Sequence, residues 1–321
     1  MTETLQANLI SLEEKLNEID SQISKFKQIS ADEGIKLNEV VEILERRKLQ
    51  LLDELDAWQK TLIARHKDRP LACDYINGIF TNFTPMCGDR HIMDDHAIVA
   101  GMAYLEGRPV VIVAQDKGRT TEEKVLRNFG MPHPEGYRKA LRVMKFAEKF
   151  NRPIITFIDT PGAYPGIEAE ERGQALAIAE NLREMSQLAV PIIAVVIGEG
   201  GSGGALALSI ADRILMLKYS IYSVISPEGC ASILFRDAGK APLAAAALKL
   251  TADDLYGFAI IDQIINEPAG GSHRDPKSTI ENVKAALISN LDDLCRVDKN
   301  ELLNGRYKKF RNMGVFCSFD N

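Results

Sequence analysis

Apolar residues open the chain in a helical rhythm: Leu5, Leu9, Leu12, Leu16, Ile19, Ile23 and Phe26 follow steps of four and three, the seam of a helix packed on another helix. A second stripe, Val41, Leu44, Leu51, Leu55, Trp58 and Leu62, continues the rhythm with Lys48 at one seam position. Ser30 to Gly34, between the stripes, has breaker composition, so the pattern predicts a helical hairpin over residues 1–70. Such a hairpin either pads a larger domain or docks a partner subunit.

From Ala97 the pattern changes to apolar, β-branched runs alternating with amphipathic stretches, the signature of an α/β domain. Strands Ile98–Leu105 and Pro109–Ala114, joined near Gly107, precede a helix Glu135–Phe150 with Pro134 at its first turn, a β-β-α unit. There follow strand Ile154–Ile158, helix Ala169–Leu188, strand Ile192–Ile197, a glycine cluster, helix Ala205–Ala211 and strand Ile214–Leu217. A last helix, Pro276–Leu294, closes a main domain of residues 71–298. The tail, 299–321, carries Arg306, Lys308, Lys309 and Arg311, a cluster that reads as a solvated helix face.

Composition narrows the class. A chain of 321 residues, 45% hydrophobic, can bury one sizeable core with an appendage. Its net charge of -6, with Lys and Arg spread along the chain, leaves no electrostatic footprint for nucleic acid and argues against a membrane surface. Cys73, Cys87, Cys230, Cys295 and Cys317 are odd in number, scattered and without a C-x-x-C pair, which points to a reducing, cytoplasmic setting. The first residues lack the basic and apolar regions of a signal peptide, and no apolar run reaches ~18 to 20 residues.

The candidate chemistry is in glycines. Gly198-Glu199-Gly200-Gly201-Ser202-Gly203-Gly204-Ala205 lies between an apolar strand and a small-residue helix, where amide N–H groups and the helix dipole favour something negative. Gly198, Gly200 and Gly203 match the dinucleotide pattern, yet Lys218, Tyr219 and Ser220 stand where an acid, about 20 residues on, would hold a ribose. Ala205 and Leu206 replace the Lys and Ser or Thr of a phosphate loop. Asp159-Thr160-Pro161-Gly162 imitates a GTPase switch without that loop, and continues through Ala163-Tyr164-Pro165-Gly166. This is either a pocket turn at a strand's C-terminal end, a usual ligand position, or a tight strand-to-helix crossing. Amide donors in such turns suit an enolate or oxyanion, whose charge appears only in the transition state.

Other constellations are weaker. Cys87, Asp89, His91, Asp94, Asp95 and His96 cluster without metal-ligand spacing. Ser202 is not in a nucleophile elbow, and Cys230 reads as a small buried residue.

Three strings taken together resemble one family: Arg127-Asn128-Phe129-Gly130-Met131-Pro132 with Pro134-Glu135-Gly136-Tyr137-Arg138-Lys139-Ala140, then Asp159 to Gly166, then Gly198 to Ala205. They are similar to the carboxyltransferase alpha subunits of multisubunit, bacterial-type acetyl-CoA carboxylases. Gly88-Asp89-Arg90, Asp94-Asp95, Tyr222 to Ala231 and the N-terminal hairpin extend the likeness over nearly the whole chain. Cys87, His91, His96 and Phe316 to Asn321 lie outside it.

The resemblance implies a crotonase-like (ClpP/crotonase) α/β fold of repeated β-β-α units, equivalent to the C-terminal half of single-chain carboxyltransferases. It implies transfer of a carboxyl group from biotin to acetyl-CoA, giving malonyl-CoA for fatty acid biosynthesis, in the cytoplasm or a plastid stroma. Biotin would be attached to the biotin carboxyl carrier protein, and no metal is expected on this chain. The expected partners are a beta subunit with a zinc ribbon, in an alpha2beta2 heterotetramer and needed for activity, together with the carrier protein and biotin carboxylase. In such chemistry the biotin ureido nitrogen takes the α-proton, so the protein supplies placement and oxyanion holes. By family pattern Gly203, Gly204 and Ala205 offer the ureido hole, and Gly162, Ala163, Tyr164 and Pro165, with Gly200 and Gly201, line the carboxybiotin pocket. A hydratase or thioester hydrolase acting alone would need an acid-base carboxylate, for which Glu199 and Glu228 stand nearest the glycines. A scaffold would have no need of convergent amides.

Overall fold

The computed structural model of the chain describes residues 3–33 and 37–314. Helix α1 (Glu3–Glu33) packs on α2 (Asn38–Asp53), burying Ile19, Ile23 and Val41 beside Phe26, Leu44 and Leu51. α1 continues through Ser30 to Glu33, past the start of the expected break, and Gly34 lies outside the described residues. Lys48, the polar seam position, is neutralised: its Nζ lies 2.5 Å from Asp20, whose other oxygen accepts from Arg274 at 3.0 Å. One charge at a seam penalises other registers of the helix pair.

The second stripe does not form one helix. It divides after Asp53, and α3 (Ala57–Ala64) starts at Asp56, whose carboxylate accepts the Gln59 N–H at 2.7 Å while Gln59 Oε1 accepts the Asp56 N–H at 2.9 Å. This reciprocal cap satisfies two donors that a continuous helix would have paired. Trp58 and Leu62 then pack on Ile221, Ala241, Ala245 and Leu250, so α3 belongs to the main body.

A clasp holds α1 to that body. His66 Nε2 lies 3.0 Å and His273 Nε2 3.4 Å from Glu13 Oε1, with the two rings stacked at 3.9 Å. Burial, then the charges of His66, Arg274 and Arg69, push His273 from its ordinary 6.5 down to about 3. The folded chain keeps this ring neutral while the unfolded chain protonates it, so stability is lost as pH falls from about 6.5 towards 3. His273→Gln should flatten that loss. Urea midpoints at pH 7 and pH 5 check it, and an equal fall in variant and wild type would refute it.

After α4 (Ala72–Ile79) comes an eight-stranded mixed sheet. β1 (Thr81–Pro85), β2 (Ile98–Leu105) and β3 (Arg108–Gln115) are antiparallel neighbours. Glu106 and Gly107, both at positive φ, close the β2–β3 hairpin, the conformation a two-residue turn between right-twisted strands requires. The chain passes through α5 (Thr121–Leu126) and α6 (Pro134–Lys149) to β4 (Ile154–Thr160), then α7 (Ile167–Glu171), α8 (Gln174–Met185), β5 (Ile192–Gly201) and α9 (Ser202–Leu206). β6 (Arg213–Leu217), β7 (Ile221–Ser223), α10 (Pro227–Phe235), α11 (Ala241–Leu248), α12 (Ala252–Gly257) and β8 (Gln263–Ile265) follow, then α13 (Pro276–Leu294) and α14 (Lys299–Arg311). The strand order is β1-β2-β3-β4-β5-β6-β8, parallel from β3 onward, with β7 also paired to β5.

Both sheet faces are covered, so β5 is apolar on both sides. Ile193, Val195 and Ile197 meet Tyr75 and Ile76 of α4 and Val283 and Leu287 of α13. Ile192, Ala194 and Val196 meet Val143 and Met144 of α6 and Met185 of α8. That is the period-two alternation of a strand buried between two helical layers.

Three expectations need correction. The helix expected over Ala169–Leu188 breaks at Gly173, whose φ of +87° ends α7 before α8 starts. The helix expected at Ala205–Ala211 begins at Ser202 and stops at Leu206, because β5 runs on through the first glycines to Gly201. The basic cluster is not uniformly solvated. Lys308 and Arg311 are exposed, but Arg306 is 2% exposed. Its guanidinium donates to both Asp212 oxygens at 2.9 and 2.7 Å and to the carbonyls of Met185, Leu188 and Val190 at 2.7–2.9 Å. The motif of one basic residue among several gives no hint of which one points inward. Phe316 to Asn321 lie outside the described residues, among which no helix is long and apolar enough to cross a membrane.

Candidate functional site

β4 and β5 run parallel and release the chain side by side, Thr160 opposite Gly200 after a register shift. The turn leaving β4 is held by its own polar groups. The Thr160 hydroxyl lies 2.6 Å from the Gly130 carbonyl and accepts the Gly162 N–H at 3.1 Å. Gln174 Nε2 donates to the carbonyls of Pro132 and Tyr164, each at 2.9 Å, and Tyr164 N–H donates to Pro132 at 3.1 Å. The Tyr164 ring rests on His133 at 4.1 Å. One direct bond and one side-chain bridge join the turns: Asp159 Oδ1 accepts the Glu199 N–H at 2.9 Å, and Gln115, fully buried at the end of β3, accepts the Asp159 N–H at 3.2 Å and donates to the Gly204 carbonyl at 2.7 Å.

The glycines explain how close the two turns come. A Cβ on Gly204 would sit 2.6 Å from the Ala163 nitrogen and from the Gly162 carbonyl carbon, and one on Gly201 would strike the Pro161 carbonyl. Backbone packs on backbone, which only glycine permits. Gly203 differs, since its nearest neighbour would be Ile178 at an ordinary 3.6 Å. Ser202 takes a left-handed φ of 51° and turns the chain into α9, whose first amides have no acceptor within the helix. Gly162, Ala163, Gly201, Gly203, Gly204 and Ala205 are thus brought together. Tyr164 is half-buried beside them and Pro165 is exposed at the outer edge. Gly200 is buried in β5, where its missing side chain makes room for the Tyr222 ring. A largely apolar cavity of about 370 Å³ opens against Ser202 and Gly203, walled by Leu206, Tyr222, Val224 and Phe310.

Elsewhere the candidate carboxylate ligands are already engaged. Asp89 Oδ1 accepts the N–H groups of His91, Ile92 and Met93, and its other oxygen accepts from Arg138 at 2.9 Å. Burial opposes this charge, but those N–H groups and Arg138 hold the carboxyl below its usual range. Asp94 accepts from Gly88 and Lys139, and Asp95 from Ala97 and His133. These carboxylates shape a loop. Among the described residues Glu13, His66 and His273 bring three possible metal-binding atoms together. His66 Nδ1 accepts the Asp68 N–H at 3.2 Å, however, so that nitrogen is engaged, and the group reads as a close-contact clasp between α1 and the main body. Cys230 is buried against Ala231 and Ala244, the packing role expected of it.

Sequence reasoning missed Gln115, His133 and Gln174. Gln115 carried a faint signal, as the polar residue closing an otherwise apolar strand.

A family model described as "Acetyl co-enzyme A carboxylase carboxyltransferase-like" matches residues 9–314. An acetyl-coenzyme A carboxylase carboxyl transferase subunit alpha from Edwardsiella ictaluri is 52% identical over 320 residues, covering 98% of this chain and 100% of its own length. One from Geobacter metallireducens is 53% identical over 311 residues, covering 96% and 98%. Among solved structures, a transcarboxylase 12S with methylmalonyl-coenzyme A bound matches with a TM-score of 0.54 at 23% identity, over 70% of this chain and 42% of that one. A Pseudomonas malonate decarboxylase hetero-tetramer in complex with coenzyme A matches with a TM-score of 0.54 at 18% identity, over 65% and 84%. The fold is the crotonase-like α/β fold that the resemblance implied.

Proposed function

The chain belongs to the acetyl-CoA carboxylase carboxyltransferase alpha-subunit family, and from that premise we propose that its paired turns form the face at which carboxyl transfer from biotin to acetyl-CoA, giving malonyl-CoA for fatty acid biosynthesis, is stabilised. The observation that carries this is the seating of Gly204 on Gly162 and Ala163. That seating holds the start of α9 against the β4 turn, with Ser202 and Gly203 at the wall of the apolar cavity and Gly204 and Ala205 buried behind them. Fixed N–H dipoles in a water-poor site lower the barrier most where charge appears only in the transition state.

Biotin, on a separate carrier protein, supplies the carboxyl group and a ureido nitrogen able to take the acetyl-CoA α-proton. The chain orients and stabilises. Gly203, Gly204 and Ala205 would offer amides to the ureido oxygen, while Gly162, Ala163, Tyr164 and Pro165, with Gly200 and Gly201, would line the carboxybiotin pocket. The hydrolase alternative fares worse. Glu199 and Glu228, the carboxylates it would use, both pair with Arg65 at 2.6 Å. Burial opposes the charge on Glu199, yet Lys117 and Arg65 hold it ionised below its usual range, the wrong state for a proton donor.

The second partner in the reading is a zinc-ribbon beta subunit in an alpha2beta2 assembly, served by the biotin carboxyl carrier protein and biotin carboxylase in the cytoplasm or a plastid stroma. Phe129, Ile167, Leu176 and Val224 flank the turns and are exposed, Ile167 to 77% and Val224 to 75%, apolar surface of the kind a subunit covers. In this division residues 1–70 are the helical region, of which α3 packs into the carboxyltransferase domain that starts at residue 71, as does α14 of the tail through Arg306.

Mixing the purified chain with the beta subunit and following malonyl-CoA formation from carboxybiotin tests the proposal. Activity only in the mixture is expected. Activity of this chain alone would overturn the shared site, and a tight but inactive mixture would favour a scaffold.

A further inference from the structure

Glu199 is the one residue between Gly198 and Gly201 that has a side chain, so it is the only side-chain handle on the strand end that feeds the glycine turn. Two cations grip it. Lys117 Nζ lies 3.3 Å from Glu199 Oε2 and 2.7 Å from Asp159 Oδ1, tying the end of β5 to the end of β4. Arg65 Nε donates to Glu199 Oε1 at 2.7 Å, and Arg65 Nη1 donates to Glu228 at 2.6 Å, tying the same strand end to the first turn of α10. The result is one continuous ionic chain, Asp159–Lys117–Glu199–Arg65–Glu228.

Local glycines make room for it. A Cβ on Gly198 would sit 2.5 Å from Asp159 Oδ1, and one on Gly130, at a φ of +78°, would sit 2.5 Å from Lys117 Cγ. Arg65 itself is the residue that ends α3, the helix packed on the main body through Trp58 and Leu62. Buried ion pairs are poor stabilisers compared with apolar packing. What they do well is fix direction, because a planar guanidinium donates along fixed lines: Arg65 reaches both Glu228 oxygens, at 2.6 and 3.4 Å, while Nε holds Glu199 Oε1.

We infer that Arg65 and Lys117 are positioning residues for carboxyl transfer, acting through Glu199 to hold the two turns in their facing arrangement, and that Arg65 makes the C-terminal end of α3 part of the site's framework. This rests on the reading of the turns as the transfer face. Helix α3 then does more than pad the domain: it supplies an internal link of the brace.

The test uses the full chain, with Arg65→Met, Arg65→Lys and Lys117→Met variants. Hydrogen exchange should quicken about tenfold in residues 198–205 of Arg65→Met and Lys117→Met. It should stay unchanged in β2 and β3. With the beta subunit present, kcat should fall by about 10²-fold with KM for acetyl-CoA little changed, and Arg65→Lys should recover part of the loss. A variant with unaltered exchange at the glycine turn and unaltered kcat would overturn the inference. So would equal quickening throughout the sheet, the mark of a merely structural role. If Arg65→Met fails to fold, Arg65→Lys decides by the same two readouts. If the wild-type mixture transfers no carboxyl at all, the functional reading falls, and exchange alone still decides the positioning.

Discussion

Arg306→Ala should lower the unfolding free energy by about 3–5 kcal/mol, the range for stripping one partner from a buried ion pair. The substitution removes five hydrogen bonds from α14 and leaves Asp212 buried with only the Ile192 N–H, at 2.7 Å, to satisfy it. It also orphans the carbonyls that close α8 and lead into β5, the strand carrying the glycine turn. Arg306→Lys should recover little, since an ammonium cannot reproduce the planar fork that reaches Asp212 and three carbonyls at once. Lys308→Ala, two residues on and in solvent, should stay within about 0.5 kcal/mol of wild type. Chemical denaturation compares the three, and an Arg306→Ala loss below about 1 kcal/mol would show that α14 is dispensable to the core.

The second large effect belongs to Gly204. From sequence, Gly204→Val looks like a clean probe of access to a backbone amide. The geometry corrects that, because the first carbon of any side chain would lie 2.6 Å from the facing main chain at Gly162 and Ala163. Gly204→Ala should therefore push the turns apart and cut carboxyl transfer by at least about 10²-fold, the scale of a 1 Å misplacement. Gly203→Ala, meeting only Ile178 at 3.6 Å, should keep the fold and lose less than Gly204→Ala. Tyr164→Phe should do least, since Tyr164 is held through its main-chain N–H and carbonyl. Steady-state transfer in the mixture with the beta subunit ranks them. Equal activity of Gly204→Ala and wild type would remove the turns from the proposal.

The α/β alternation was legible because β2, β4 and β5 are long, apolar and β-branched, and α13 is bounded as the sequence suggested. β7 and β8, three residues each, are too short to show a period and form because β5 and β6 are there to pair with. Gly173 hid the α7–α8 break, as a lone glycine inside an amphipathic run does not announce a positive φ. At the site, the glycine strings were readable because close backbone approach has no substitute residue. Gln174, Lys117 and Arg65 were not, since each acts on residues more than a turn away in the chain and looks from sequence like any polar surface position.

The sheet's two outer strands bear on how the chain behaves in a crowded solution. β1 is mostly exposed, breaks register between Thr81 and Thr84 and ends in Pro85, and β8 is only three residues long. Neither edge presents a long, flat row of free N–H and C=O groups, so a second copy has little to zip onto. An alpha chain made in excess of its partner, with its apolar helix surfaces still uncovered, is thus guarded against the runaway strand-to-strand stacking that leads to fibres, and whatever sticking occurs must go through helices and loops.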